Sequence, residues 1–227
     1  MKSKLLLIAT TFLVNVHAIS QTSNTEDFES TTGIWYMLFY NKQFTDSQFG
    51  LQGDFQERHW DLESDFEQRL IRNGVTFKPK ASKLLLTLGY ANVKSGVFGE
   101  NSNRAIENRI YQEALFPINL SNRISTTHRY RFEQRWIEEN QMKTRHRYNL
   151  FINVALNQPS FDDGTIYLAL YGELFLHSWD IEVDRIRLYS AIGYKYSEGS
   201  KIQLGIMRQY VNASPKNQLQ LSLHRSI

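Results

Sequence analysis

Charged residues recur at two-residue spacing along much of this chain: Glu107 and Arg109, then Arg129, Arg131, Glu133 and Arg135, then Arg145 and Arg147, and after Glu173 the pair Arg185 and Arg187. A guanidinium presents a planar fork of donors that matches a carboxylate, so such a set can tie itself together by two-pronged ion pairs. A set richer in Arg than in Glu can also line a passage that favours anions. Eight Arg stand against three Glu in this group. Asp54, Glu57 and Glu67 are further carboxylates that could face the surplus. Two chemistries follow, a charge ladder that holds strands in register and a positive constriction for small anionic solutes.

Other chemistry has less support. The chain has no Cys, which excludes disulfides, thiol catalysis and thiolate metal sites. Its six His are His17, His59, His128, His146, His177 and His224. A hydrolytic triad needs a base within reach of a nucleophile and an acid to orient it. His128 and His146 have the parity of apolar neighbours and could meet on adjacent strands, whereas His224 shares parity with Ser222 and Ser226. No GxSxG, HExxH or phosphate-binding glycine loop is present. Asp162-Asp163-Gly164 reads as a turn, and neither a metal nor a cofactor is expected. The net charge of +3 gives no broad basic surface, and in 128–136 the rings and guanidinium groups alternate onto opposite faces, so a nucleic-acid partner is not expected either.

The elements that must position the charges are strands. Eleven segments show a period of two: Gly33–Phe44, Phe49–Arg58, Phe66–Phe77, Lys83–Val93, Arg104–Phe116, Arg123–Trp136, Thr144–Leu156, Thr165–Phe175, Val183–Tyr196, Lys201–Val211 and Gln218–Ile227. Alternate side chains of a strand point to opposite faces, so each segment sorts its residues into two sets. Around 124–136, Ile124, Tyr130, Phe132 and Trp136 oppose Thr127, Arg129, Arg131, Glu133 and Arg135. Tyr148, Leu150, Ile152 and Val154 likewise oppose Arg145, Arg147, Asn149 and Asn153. The fifth segment is the least regular, because Leu115 shares parity with Glu107 and Arg109.

Segments of this length, longer than the usual 5–6 or so residues of soluble sheets, suit strands that cross a bilayer at a tilt. Apolar-out, polar-in alternation is the pattern of a membrane β-barrel, while a soluble barrel or sandwich would place the apolar face inside. Trp35, Tyr36, Tyr90, Trp136, Tyr194, Tyr196 and Tyr210 read as interfacial rings on the apolar faces. At the N-terminus, Lys2 and Lys4 precede the apolar run Leu5–Val14, and Ala18 and Ser20 occupy small positions, so residues 1–20 are expected to be a secretory signal peptide. The expected fold is therefore all-β: one antiparallel, up-and-down transmembrane β-barrel over 21–227, reached through export to the outer membrane. Short links at Thr45–Gln48, Pro79–Ser82 and Ser197–Ser200 alternate with longer ones at His59–Asp65, Lys94–Asn103 and Ile137–Lys143, although Asn157–Gly164 departs from this. Bacterial barrels usually have an even number of strands, so about twelve are expected, with a missing one in Thr22–Thr32, or ten in the alternative.

The chain resembles the family catalogued as domain of unknown function 2490, proteins of Gram-negative bacteria regarded as outer-membrane barrels. The likeness is carried by Gly33 and Trp35, Gln56 and Arg58, Gly74, Gly89-Tyr90, Glu107 and Arg109 in ENRIYQE, and above all HRYRFEQRW at 128–136. Arg145, Arg147, Glu173 in YGELFL, Asp184-Arg185 before LYSAIGY and the ending LQLSLH continue it. The resemblance implies fold and location and leaves activity open. Expected partners are outer-membrane lipid, the barrel-assembly machinery during biogenesis, and small anionic solutes. A small channel or structural barrel is the first reading, with a lipid-modifying enzyme and a soluble periplasmic ligand-binding barrel as alternatives.

Overall fold

The computed structural model describes residues 31–62, 65–137, 141–177, 182–211 and 214–227. The expected signal segment lies outside these residues, as does all of Thr22–Thr32 except its last two, which are not in a strand. Side chains alternating between aromatic or branched and polar, with glycine at the tight links, give eleven strands. They are β1 Gly33–Gln43, β2 Phe49–His59, β3 Phe66–Phe77, β4 Leu85–Val97, β5 Glu100–Asn119, β6 Ile124–Ile137, β7 Gln141–Ala155, β8 Thr165–His177, β9 Val183–Ser197, β10 Ser200–Val211 and β11 Ser214–Ser226.

Each strand pairs antiparallel with the next, and β1 closes on β11 to complete a barrel. That closing pair is parallel, from Gly33 opposite Gln218 to Asn41 opposite Ser226. The described residues thus hold eleven strands, and the barrel is mixed. An up-and-down chain with an odd number of strands starts and finishes in the same direction, so the seam must be parallel and no twelfth strand is needed. The expected even count rests on the usual parity of such barrels, which this chain does not follow among its described residues.

The barrel has a near end, where β1 and β11 begin, and a far end, where both finish. Link lengths do not separate the two ends. β4 and β5 run through most of Lys94–Asn103 and turn at Phe98–Gly99, where Gly99 takes φ 73°, while the link 156–164 joins β7 to β8 at the far end. The positive φ at Gly99 is strained for residues with a Cβ, which is why a two-residue turn can close there.

The faces sort as charge inside and hydrocarbon outside. Arg131, Glu133, Arg145, Arg147 and Glu173 are buried within the barrel, whereas Leu88 and Leu204 are each 61% exposed on its outer surface. Leu115 faces inward with Glu107 and Arg109, as its parity requires. Tyr36, Tyr90, Tyr194 and Tyr196 are exposed outside, but Trp35 is only 2% exposed and faces inward, where its indole donates to Glu67 at 2.8 Å. Its strand carries apolar residues on both faces from Ile34 to Tyr40, so alternation alone gave its parity no anchor. Two interior tyrosines lie across glycines of the neighbouring strand, Tyr111 opposite Gly89 and Tyr167 opposite Gly193. A Cβ at either glycine would fall 2.2 Å from the tyrosine Cζ, so only glycine admits these rings.

Candidate functional site

Cross-strand register brings the interior charges together. On β5 and β6, Glu113 lies opposite Arg131; on β6 and β7, Glu133 lies opposite Arg145 and Arg131 opposite Arg147; on β8 and β9, Glu173 lies opposite Arg187. Two arginines directly opposite would repel, so the carboxylates diagonal to them decide whether the row is tolerated. Glu133, 1% exposed, accepts from Arg145 at 2.6 and 2.9 Å and from Arg147 at 2.7 Å. Glu173 Oε1 accepts from Arg147 at 2.6 Å and from Arg129 at 2.7 Å, while Arg187 approaches its other oxygen to 3.6 Å. Arg131 forks onto Glu113 Oε2 at 2.5 and 2.7 Å, and Gln52 donates to Oε1 of the same carboxylate at 2.8 Å. Glu107 is held by Arg109 at 2.7 and 2.9 Å and by Arg135. Arg185 pairs with Asp184 at 2.9 Å, and Arg145 reaches the same carboxylate at 3.3 Å.

Ten of the eleven residues of the expected charge cluster line one interior cavity, and the eleventh, Glu133, is held by Arg145 and Arg147 of that lining. The arginine surplus shrinks on contact with Glu113, a carboxylate outside the set of eleven, whereas Asp54 and Glu57 take arginines that are also outside it. Glu113 belongs to the parity of Glu107 and Arg109, a signal readable from ENRIYQE. Asp54 takes Arg72 at 2.7 and 3.1 Å. Glu57 faces outward and pairs with Arg69 at 2.7 Å. Aromatic rings complete the packing. Arg145, Arg147 and Arg187 place their guanidinium carbons 5.1, 4.5 and 4.7 Å from the centre of Phe175, and Arg58 lies 3.8 Å from that of Trp35. A ring face attracts a cation, so these rings support guanidinium groups where the carboxylates leave off.

The cavity inside the network is about 580 Å³, and a second cavity of about 770 Å³ opens at the far end. Arg129 Nε, Arg131 Nη1 and Asn149 Oδ1, all on the wall of the inner cavity, are buried without a hydrogen-bond partner among the described residues. Such atoms suit a polar, wet interior rather than a dry core.

Among the described residues, the histidines do not assemble a triad. His128 and His146 lie on the outer face and do not meet: His128 Nδ1 is 2.6 Å from Tyr148 Oη and His146 Nδ1 is 2.7 Å from Tyr130 Oη. His224 faces inward with Ser222, whose Oγ is 3.1 Å from Nε2. No carboxylate forms an ion pair with His224 among the described residues, so the pair lacks an orienting acid. Among the described residues, no group of three or more His, Asp or Glu side chains is arranged to hold a metal ion.

These features define a closed β-barrel with an ionic interior and an apolar exterior. The chain belongs to the family described as Protein of unknown function (DUF2490), whose sequence profile matches residues 32–220. No curated protein and no solved structure matches the chain.

Proposed function

We propose that this protein is an outer-membrane β-barrel whose Arg/Glu network braces a narrow lumen, admitting small anionic solutes and no larger ones. The observation that carries this reading is the inversion of the usual soluble arrangement. Arginines and carboxylates are paired inside, and large apolar side chains such as Leu88, Leu204 and Ile206 are more than half exposed outside. A water-soluble barrel buries such residues, and contiguous exposed hydrocarbon on this scale marks a surface meant for a nonpolar neighbour. A closed barrel satisfies its backbone within the sheet, which is the requirement for crossing lipid with strands. Outward polar groups fit the same surroundings: Tyr90 Oη donates to Asn108 at 2.6 Å, and His128 and His146 are each tied to a tyrosine. Lipid would contact the outer face, and the barrel-assembly machinery would insert the chain after export by residues 1–20.

Location is tested by expressing the chain from its N-terminus, separating the membranes, and running the purified protein on a gel with and without boiling. Recovery in the outer membrane with a heat-dependent shift is expected; recovery as a soluble periplasmic protein without a shift overturns the reading. The lumen is tested in planar bilayers. Wild type should give a small conductance favouring chloride over potassium, and Arg131→Ala with Arg147→Ala should reduce that preference. An unchanged selectivity would remove these arginines from the solute path.

A further inference from the structure

The far end of the barrel holds a cationic feature that the network does not absorb. Register sets Lys195 of β9 opposite Lys201 of β10, and Lys201 opposite His224 of β11, so three nitrogen-bearing side chains lie side by side. A register shift between Ser200 and Lys201 interrupts the ladder at this row. Lys201 and His224 line both the inner cavity and the far-end cavity, which places them at the neck joining the two. Lys195 is answered by Asp163 at 3.3 Å and by the Phe161 carbonyl at 2.9 Å. Lys201 has neither a carboxylate within ion-pair distance nor a hydrogen-bond partner among the described residues, and every link at the far end is described. A half-buried ammonium on a cavity wall without a counter-ion is costly, and an anion supplied from outside would relieve it.

The surroundings select the anion. Ser222 Oγ lies 3.1 Å from His224 Nε2, and Phe39 stacks on the imidazole with ring centroids 4.6 Å apart. With the hydroxyl donating to Nε2, the ring keeps Nδ1–H as a donor, and the stacked Phe39 fixes its orientation. The neck therefore offers the Lys201 ammonium, the Lys195 ammonium shared with Asp163 and, in the tautomer with the proton on Nδ1, an imidazole N–H, a set suited to a compact anion with several acceptor oxygens. These side chains face the lumen with the sheet between them and the outer surface, so the anion arrives dissolved rather than as part of a lipid.

We propose that the neck formed by Lys195, Lys201 and His224 is a binding site for a small soluble oxyanion of the phosphate class. The site deepens the lumenal reading above by naming a solute class and a place for it. Inorganic phosphate is the probe, titrated calorimetrically into the full barrel in detergent at constant chloride, with the heat-dependent gel shift run on every sample. Wild type should bind phosphate saturably; Lys201→Gln should weaken binding at least tenfold, and Lys201→Arg should stay within about threefold of wild type. Heat-shifted wild type that shows no saturable binding overturns the proposal while leaving the barrel reading intact. Binding by Lys201→Gln equal to wild type overturns it as well, since the anion would then sit elsewhere. Wild type without a heat shift would instead count against the membrane reading.

Discussion

The two halves of the barrel interior are built on the same alternation and reach opposite electrostatic outcomes. Toward the near end and the middle, Arg129, Arg131, Arg145 and Arg147 are each matched by Glu113, Glu133 or Glu173. At the far end, Lys201 stands in a row with Lys195 and His224, and Asp163 serves Lys195 alone. Inward parity therefore carries no fixed meaning. A charge ladder is a brace where register brings carboxylates to the arginines, and it becomes a candidate ligand site where register brings cations together.

The comparison is most sharply broken by removing one carboxylate from the brace. Glu133→Ala leaves Arg145 and Arg147 buried without their shared acceptor. Breaking a buried ion pair from one side costs about 3–5 kcal/mol, so thermal unfolding in detergent should shift down by that equivalent. Glu133→Gln, which keeps an acceptor oxygen, should cost less. Lys201→Gln should not destabilise and should slightly stabilise, because it removes a costly charge that has no protein partner. If Lys201→Gln were as damaging as Glu133→Ala, the two halves would not differ in the way described.

A second test is steric and concerns the far half. Tyr167, 1% exposed, lies across Gly193 and accepts from Gln203 at 3.0 Å. Gly193→Ala would drive a methyl group into the ring, and overpacking of this kind costs about 1–3 kcal/mol. The measurement is the same unfolding transition, with Gly193→Ala combined with Tyr167→Ala as the control. The double variant should recover part of the loss, and no recovery would mean that the ring is not the obstacle.

Much of this organisation was legible in the residues, and the exceptions have physical causes. Strands with charges at alternate positions announced their inward face, so Arg129 to Arg135 and Arg145 to Arg147 could be placed before any pairing was known. β1 has no such marker between Ile34 and Tyr40, and Trp35 was consequently assigned to the wrong face. β5 runs from Glu100 to Asn119 rather than from Arg104 to Phe116, because Asn101 and Asn103 at one end and Pro117 at the other are poor strand formers that the pairing overrides. Which arginine meets which carboxylate was not legible, since it depends on register, and register is set by turns and by irregularities such as that at Ser200–Lys201. The parallel seam was hidden for a related reason: it joins the first and last strands, whose mutual register no local link specifies.

The smallest expected effect separates the inside of the barrel from its outside on a single pair of strands. β2 and β3 carry two ion pairs, Asp54 with Arg72 on the inner face and Glu57 with Arg69 on the outer face, both at 2.7 Å. Their geometry is alike, but the side chains are 8% and 7% exposed in the first pair and 21% and 51% in the second. The outer pair lies within three residues of the strand ends at the near-end link, at the rim of the barrel, where solvent and salt screen it, so its coupling should fall at or below about 1 kcal/mol in a double-mutant cycle and fade as salt is raised. The inner pair should keep more of its coupling at the same salt, because a narrow interior holds few ions at a time and its charges lean on each other. Equal salt sensitivity in the two cycles would show that water and ions enter the lumen at the level of Asp54 as freely as they bathe the surface. On the proposed reading, the brace would then line a wide passage instead of narrowing it.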